Sequence, residues 1–347
     1  MFHQTLLKYQ RKIDSELKIF FDKKIKESFL ISKEAVETVN LLKDYTLRKG
    51  KRLRALLVNL GYFSANGKNR KGILKASLAI ELIHNFLLIH DDIIDQDRLR
   101  RGQLSLHSLY QKKFFNNQHT GISLAMISGD IISVWGYENL INSDFDEKLK
   151  IKAIKILNET IEKTCYGEMI ELILKKRKIA EKDILNISKY KTAYYTFVNP
   201  LKIGAVLAGR DRGFLEKIEK FGLPLGIAFQ IQDDILGLFG SQKEIGKPIG
   251  SDIKENQPNL LIFKTLTLAN LKDRQKFKNY LGQPTINQKD IREIKRIVKE
   301  SGSLKYCRRK AGDLIKKAKY FLKQMKIPQK EKQFLKDLAD YIIIRNY

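Results

Sequence analysis

The sequence predicts an all-helical protein. Apolar residues recur at spacings of three and four in stretch after stretch, and almost none alternate with period two. Only six prolines stand in 347 residues, so little interrupts that periodicity. The pattern places helices at residues 14–29, 33–48, 52–65, 73–97, 105–116, 121–141, 147–177, 181–196, 200–209, 213–239, 259–270, 287–300, 303–325 and 328–344. Ser32, with Glu34 and Glu37 in the turns that follow, caps the second. Asn66-Gly67-Lys68-Asn69 reads as the loop after the third. The fourth contains the apolar run Ala79 to His90, and the tenth contains Phe221 to Phe229. Residues 240–258 form a long polar loop with glycine and proline, a length that usually carries function. No repeat of about 20–50 residues is evident. The expectation is a single all-helical domain over residues 1–347, with a more mobile C-terminal helical segment from about residue 280.

Composition narrows the class. The chain is 43% hydrophobic, enough for a large core. Cys165 and Cys307 are its only cysteines, which excludes a disulfide framework and a cysteine zinc site and fits a cytoplasmic protein. The N-terminus has too little apolar length for a signal peptide. Gly121 to Ile141 is the best transmembrane candidate, but Asp130 interrupts it, so it reads as a buried helix and no transmembrane segment is expected. The net charge of +27 admits nucleic acid, an anionic membrane or polyanionic substrates. The basic residues are dispersed, as in Lys148, Lys150, Lys152 and Lys155, with no basic stripe interleaved with aromatics. Nucleic acid is therefore not an expected partner, while peripheral membrane contact stays open.

Two acidic clusters dominate the pattern: Asp91-Asp92-Ile93-Ile94-Asp95 and Gln230-Ile231-Gln232-Asp233-Asp234, each at the end of an apolar run. Carboxylates beside an apolar core are costly unless something compensates them. Asp91 and Asp95, spaced i, i+4, share a helix face and repel each other. A hard, oxygen-seeking divalent cation reverses that sign, and Mg²⁺ bridged to phosphate oxygens is the common case.

Basic residues suited to phosphate stand nearby. Arg100 and Arg101 follow the first cluster within ten residues, and guanidinium groups bind phosphate oxygens in forked pairs. Arg48-Lys49-Gly50-Lys51-Arg52-Leu53-Arg54 opens the third helix as a glycine-bearing basic loop, a ready anion site. His84 lies two turns before Asp91 on the same face. Lys191-Thr192 and Lys247-Pro248-Ile249-Gly250-Ser251-Asp252 come later.

Together these motifs resemble the polyprenyl synthetase family, the trans-isoprenyl diphosphate synthases, from about Gly50 to about Leu261. Glu81 through Asp95 is similar to the family's first aspartate-rich motif, and Gln230 through Gly237 to its second. The resemblance implies a single helical bundle around a central apolar cavity, of the isoprenoid synthase type. It implies that Asp91 and Asp95, supported by Asp92, bind Mg²⁺ for an allylic diphosphate, and that Asp233, with Asp234 nearby, binds a further Mg²⁺. Arg100, Lys191, Thr192, Gln230 and Lys247 would hold the allylic substrate, with Lys191 and Lys247 also assisting departure of the diphosphate. Gly50, Lys51, Arg54, His84 and Arg101 would hold isopentenyl diphosphate. A homodimer is also implied. Three departures stand out: Gly237 where many relatives have a third aspartate, Gln257 where a phosphate-binding lysine is usual, with Lys254 as a substitute, and Glu171 in place of an aspartate.

The expected reaction is Mg²⁺-dependent head-to-tail condensation giving an all-trans short-chain prenyl diphosphate, with the twenty-carbon geranylgeranyl product favoured over a farnesyl or longer one. Phe86 and Leu87, five and four residues before Asp91, are the chain-length positions. Helix geometry alone favours Leu87 as the wall, because it shares the aspartate's face; the resemblance points to Phe86. A terpene cyclase and an inactive partner subunit are the competing readings. The basic set at Lys51, Arg54, His84 and Arg101 speaks against the first, and the presence of both acidic clusters against the second.

Overall fold

The computed structural model describes residues 2–175, 177, 179–240, 249–283 and 285–344. They fall into two compact units. The first comprises Met1–Leu157 and Pro200–Asp211, the second Asn158–Asn199 and Arg212–Tyr347.

In the first unit, helix α1 runs over Phe2–Ser28, twelve residues longer at its start than the periodicity from residue 14 suggests. Leu6, Ile13, Leu17 and Phe21 form its buried stripe. Helix α2, Lys33–Leu47, starts where expected: the Ser32 hydroxyl accepts the Ala35 N–H at 3.2 Å. Helix α3 spans Leu53–Ser64. The expected helix at 73–97 is two, α4 (Arg70–Ala76) and α5 (Leu78–Ile94), separated at Ser77, whose hydroxyl turns back to the Leu74 carbonyl at 2.6 Å. Helices α6 (Leu106–Lys113) and α7 (Gln118–Ile141) follow, joined by the Tyr110–Ser128 hydroxyl contact at 2.8 Å. Among the described residues it is Arg70–Ile94, not 121–141, that is long and apolar enough to cross a membrane; 72% of its apolar window is buried inside the protein. That stretch comprises α4 and α5, and α5 carries the first acidic cluster.

The period-two signal missed one element. Leu99–Arg100 (β1) and Gln103–Leu104 (β2) pair antiparallel, Leu99 with Leu104 and Arg100 with Gln103. The turn between them holds Arg101 at φ 56° and Gly102 at φ 77°. Two successive positive φ values make the tight turn whose twist matches a hairpin.

Helix α8 (Glu147–Leu174) is divided between the units at Leu157. The second unit continues with α9 (Glu181–Ile187) and an eleven-residue π-helix, Ser188–Val198, where the sequence suggests one continuous α-helix. Helix α10, Asn199–Leu207, passes back to the first unit. Helix α11, Arg212–Phe239, carries Pro224 inside it and the second acidic cluster near its end. Gly226 lets α11 approach the π-helix: a Cβ there would meet the Ala193 Cα at 2.4 Å. The remaining helices are α12 (Ser251–Lys254), α13 (Leu260–Leu268), α14 (Leu271–Tyr280), α15 (Gln288–Glu300), α16 (Ser303–Gln324) and α17 (Gln329–Ile344). The segment from residue 280 is built of packed helices, with Ile294, Ile297, Cys307, Ile315, Leu335 and Ala339 buried.

Helices α3 and α10 touch through glycines. A Cβ on Gly204 would stand 2.0 Å from the Val58 carbonyl oxygen, and one on Gly61 would stand 2.1 Å from that of Leu201. Backbone cannot yield as a side-chain tip can. Gly204→Ala is therefore expected to destabilise the protein at the upper end of the ~1–3 kcal/mol typical of overpacking. Urea unfolding would show this as a lowered midpoint, and an unchanged midpoint would contradict the close approach of these helices.

Candidate functional site

The first acidic cluster forms at the C-terminal end of α5. The Asp95 N–H donates to the Asp91 carbonyl at 2.9 Å, so helical geometry holds through the cap and the two carboxylates keep their i, i+4 relation. Both side chains are half-buried. Asp92 is fully buried; it accepts the Tyr45 hydroxyl on Oδ2 at 2.7 Å and the Arg100 guanidinium on Oδ1. Its oxygens are thus occupied by protein donors, and its part is to hold Arg100 and Tyr45. Asp91 and Asp95, which are only half-buried, are the carboxylates at this helix end that face outward.

Arg100 is the hub. Beyond Asp92 it reaches Asp91 Oδ2 at 3.0 Å and Asp97 Oδ2 at 3.3 Å. Burial works against its charge, but Asp92 and Asp91 outweigh that and raise its pKa above the ordinary arginine value. Burial, first of all, raises the Asp92 carboxyl, and Arg100 opposes the rise. Sequence reasoning assigned Arg100 to the allylic diphosphate; here it compensates the aspartates. Tyr45 and Asp97 had no role in that reasoning. Asp97, two residues past Asp95, carries a signal in its spacing to Arg100; Tyr45, 47 residues from Asp92, carries none.

Arg101, the next residue, serves a different place. Its guanidinium lies flat against Gly50, where a Cβ would meet Cζ at 3.1 Å, and donates to the Arg48 carbonyl at 3.0 Å. Arg54 Nη1 donates to His84 Nε2 at 3.2 Å. Arginine has no acceptor, so this nitrogen carries no proton and Nδ1 does. Burial first, and then Arg54, Arg101, Arg52 and Arg100, depress the His84 pKa well below 6.5. Burial also pushes Arg101 down to about 10. Gly50, Arg54, His84 and Arg101 thus gather as expected for an anion site, and Lys51 stands exposed at its edge. Arg52, which the sequence left without a role, is buried on Asp14 at 2.7 Å and on the Thr46 carbonyl at 2.8 Å, and fixes the loop. Two consecutive residues reach two sites because Arg100 is in a strand and Arg101 is in the left-handed turn.

Phe86 and Leu87 are half-buried on α5. The Phe86 ring meets His90 edge-on at 4.7 Å, and His90 sits over Gly129 of α7, where a Cβ would stand 2.6 Å from its Nε2.

In the second unit, the π-helix places Lys191 and Thr192. Lys191 Nζ is paired with Glu168 Oε2 at 2.5 Å and with Glu171 Oε1 at 3.1 Å. Gly167 makes this possible, since a Cβ there would be 2.5 Å from the Lys191 backbone nitrogen. The Thr192 hydroxyl donates to Gln230 Oε1 at 2.6 Å, and Gln230 Nε2 donates to Asp234 Oδ1 at 2.8 Å. Asp234 is buried and its carboxyl is pushed well above the usual range, by burial first and then by the Asp252 and Asp233 charges. Asp252, to which the sequence pattern assigns no role, belongs to this cluster. Asp233 is half-buried. Lys247 lies outside the described residues. Gln257 donates to Glu255 at 2.8 Å, and Lys254, its suggested substitute, is exposed.

Asp91 with Asp95, and Asp233 with Asp234 and Asp252, are oxygen donors of the type a hard divalent cation takes, and a cation would relieve the burial and like-charge strain on Asp234. As the side chains stand, no three such donors among the described residues converge on one point. The polyprenyl synthetase family model matches residues 36–298, about three quarters of the chain. The chain belongs to the polyprenyl synthetase family. It is similar to the geranylgeranyl diphosphate synthase of Sulfolobus acidocaldarius, 33% identical over 303 residues covering 85% of this chain and 87% of that one. It is also similar to the geranylfarnesyl diphosphate synthase of Natronomonas pharaonis, 29% identical over 277 residues covering 79% and 76%. Among solved structures it resembles the geranylgeranyl pyrophosphate synthase of Corynebacterium glutamicum complexed with isoprenyl diphosphate and magnesium, with a TM-score of 0.92, 26% identity and coverage of 98% and 99%. This polyprenyl synthetase is an all-α prenyltransferase that elongates isoprenyl diphosphates.

The half-buried, neutral His84 gives the enzyme a pH dependence of stability. Below 6.5 the unfolded chain protonates this histidine and the folded chain does not, so the unfolded state binds more protons and stability falls as pH falls. The contribution is lost between 6.5 and the depressed folded pKa. His107, also lowered by burial, adds in the same direction. Melting temperature is expected to fall from roughly pH 7 to roughly pH 5, and His84→Gln to flatten the fall. Equal slopes for the two proteins would refute the assignment.

Proposed function

We propose that this polyprenyl synthetase condenses isopentenyl diphosphate with allylic diphosphates, with Mg²⁺, to give all-trans geranylgeranyl diphosphate. The observation that carries the reading is the split at Arg100 and Arg101. One arginine sits in a carboxylate cluster suited to a metal-held diphosphate, and its neighbour sits in a separate basic cluster suited to a second diphosphate. A chain-elongating enzyme needs two such sites, whereas a cyclase acting on one diphosphate does not.

In this reading Asp91 and Asp95 would hold Mg²⁺ at the allylic-diphosphate site, and Asp233, with Asp234 and Asp252 nearby, would hold a further ion. Magnesium, when bound, neutralises charge developing on the leaving diphosphate. Arg100 and Lys191 add fixed positive charge to the same end. Their carboxylate partners keep both cations ordered before substrate arrives. Thr192 and Gln230 orient Asp234 through their hydrogen-bond chain. Gly50, Arg54, His84 and Arg101 bind isopentenyl diphosphate, with His84 neutral and donating from Nδ1. Apolar side chains on α5 exclude water from the cation formed at the allylic carbon. Lys247 and Lys51 complete the binding set on the family pattern.

The reading includes a homodimer. Helix α7 exposes Ile127, Ile131, Val134 and Ile141, large apolar side chains left uncovered on a helix otherwise packed on α5 and α6. Light scattering that shows only monomer at micromolar concentration would rule the dimer out. A cytoplasmic location fits the two unpaired cysteines.

Asp91→Ala and Asp233→Ala are each expected to lower kcat by about 10²-fold or more, as for loss of a group that acts on transition-state charge, with helical circular dichroism unchanged. Near-normal turnover of Asp91→Ala at saturating Mg²⁺ would overturn the mechanism. Phe86→Ala, which removes the ring against His90, is expected to lengthen the products by one or more five-carbon units. Chromatography of the dephosphorylated alcohols reads this directly, and an unchanged distribution would place the length stop elsewhere, Leu87 being the next position to test.

A further inference from the structure

Four of the five most exposed large apolar side chains among the described residues lie at one end of the first unit. Leu30 is 89% exposed, Ile31 78% and Phe115 90%, with Phe29 beside them at 68%; Leu271, at 82%, is elsewhere. Phe29 ranks fifth, and none of the four belongs to the proposed catalytic or binding set. The first three residues in sequence, 29–31, form the turn between α1 and α2, and Phe115 tips the turn between α6 and α7.

Contacts along the helices bring the two turns to the same end. Arg48 at the end of α2 donates to the Leu104 carbonyl before α6 at 2.7 Å. Tyr110 on α6 donates to the Thr38 carbonyl on α2 at 3.2 Å, and Lys113 pairs with Glu37 at 2.7 Å. The helices are therefore antiparallel, so the start of α2 and the end of α6 point the same way. Lys43 pairs with Asp22 at 2.5 Å, which sets α1 antiparallel to α2 and brings its end to the same place.

The turns are built to project apolar groups without stranding backbone donors. The N–H groups of Phe29, Leu30 and Ile31 donate to the carbonyls of Ile25, Glu27 and Ser28 at 3.2, 3.2 and 3.0 Å. Phe115 and Asn116 both adopt left-handed backbone, at φ 61° and φ 50°. For a bulky residue such as phenylalanine that conformation is unfavourable, and it is kept here with the ring pointed into solvent. Around the tips stand exposed Lys23, Lys26, Lys33, Lys112 and Lys113 against Glu27, Glu34 and Glu37, a basic balance.

Apolar tips that stand out from the surface, backbone donors already satisfied, and a lysine rim are the requirements for shallow insertion at a bilayer interface with headgroup attraction. We infer that this end of the molecule docks peripherally on an anionic lipid bilayer, with Phe29, Leu30, Ile31 and Phe115 entering the interface and the lysines meeting acidic headgroups.

The test is flotation of the full-length protein with vesicles of phosphatidylcholine alone or mixed with phosphatidylserine, at low and high salt. The wild type is expected to bind the mixed vesicles, and to bind the neutral ones or high-salt samples about tenfold less. Leu30→Glu combined with Phe115→Glu is expected to lose binding by about tenfold or more. Leu271→Glu, which adds one such carboxylate at a comparably exposed position elsewhere, is expected to keep it, whereas Leu30→Glu alone is expected to weaken it. Prenyl transfer from water-soluble substrates should be unchanged in these variants. No binding by the wild type, equal binding to neutral and anionic vesicles, or full binding by the double variant would each overturn the inference. So would a smaller oligomer for the double variant in light scattering, because the tips would then be a subunit contact.

Discussion

The structure depends first on the compensation of carboxylates at the end of α5. Asp91, Asp92, Asp95 and Asp97 crowd within seven residues of an apolar core helix, and Asp92 is fully buried. Removing one partner from such a buried pair costs about 3–5 kcal/mol, because an uncompensated charge remains. Arg100 supplies the compensation to three of the four at once. A helix could not bring Arg100 back over the end of the helix that precedes it; the two-stranded hairpin does. The pairing of Arg100 with Gln103 fixes the strand, and the left-handed turn sends Arg101 the other way. One short hairpin therefore fixes both the acidic and the basic clusters of the first unit.

The same helix end shows how packing reaches the chain-length positions. Gly129 and Gly136 on α7 stand one heptad apart and give α5 its close approach: a Cβ on Gly136 would touch Ile83 at 3.0 Å, and one on Gly129 would strike His90. His90 fills the space over Gly129 and supports Phe86 from the side. The Phe86 ring is thus held by a neighbour one turn further along α5, and that neighbour by a helix more than thirty residues away in sequence.

Much of this was legible before any coordinates. The acidic motifs, the basic loop and the helical periodicity follow from residue type and spacing, and most helix ends agree within a few residues. Other features left no local trace. The π-helix at 188–198 has the same apolar spacing as an α-helix, so periodicity cannot distinguish them. The break at Ser77 depends on one hydroxyl turning to a carbonyl in an otherwise continuous apolar run. The hairpin strands are two residues each, below the length at which alternation is detectable. The start of α1 is not legible because its buried positions before residue 14, Leu6 and Ile13, are sparse among polar and charged residues. The partners of Arg100 are not legible either, because the sequence reads the carboxylates of the first cluster as metal ligands alone, whereas Asp91, Asp92 and Asp97 also pair with this arginine.

The absent third aspartate of the second motif takes on a different meaning in this setting. A Cβ at Gly237 would lie 3.4 Å from Asp252 Oδ2, and the Asn259 amide holds that same oxygen at 3.0 Å. The Gly250 N–H also donates to the Gly237 carbonyl at 3.0 Å, which ties the stretch before Asp252 to this turn of α11. An aspartate at 237 would set a further carboxylate against Asp252, in a cluster where burial and like charge already raise Asp234. With glycine there, the space beside the motif is occupied by a carboxylate that arrives from later in the chain. The acidic character of the cluster is thus kept by Asp252 rather than lost with the third aspartate.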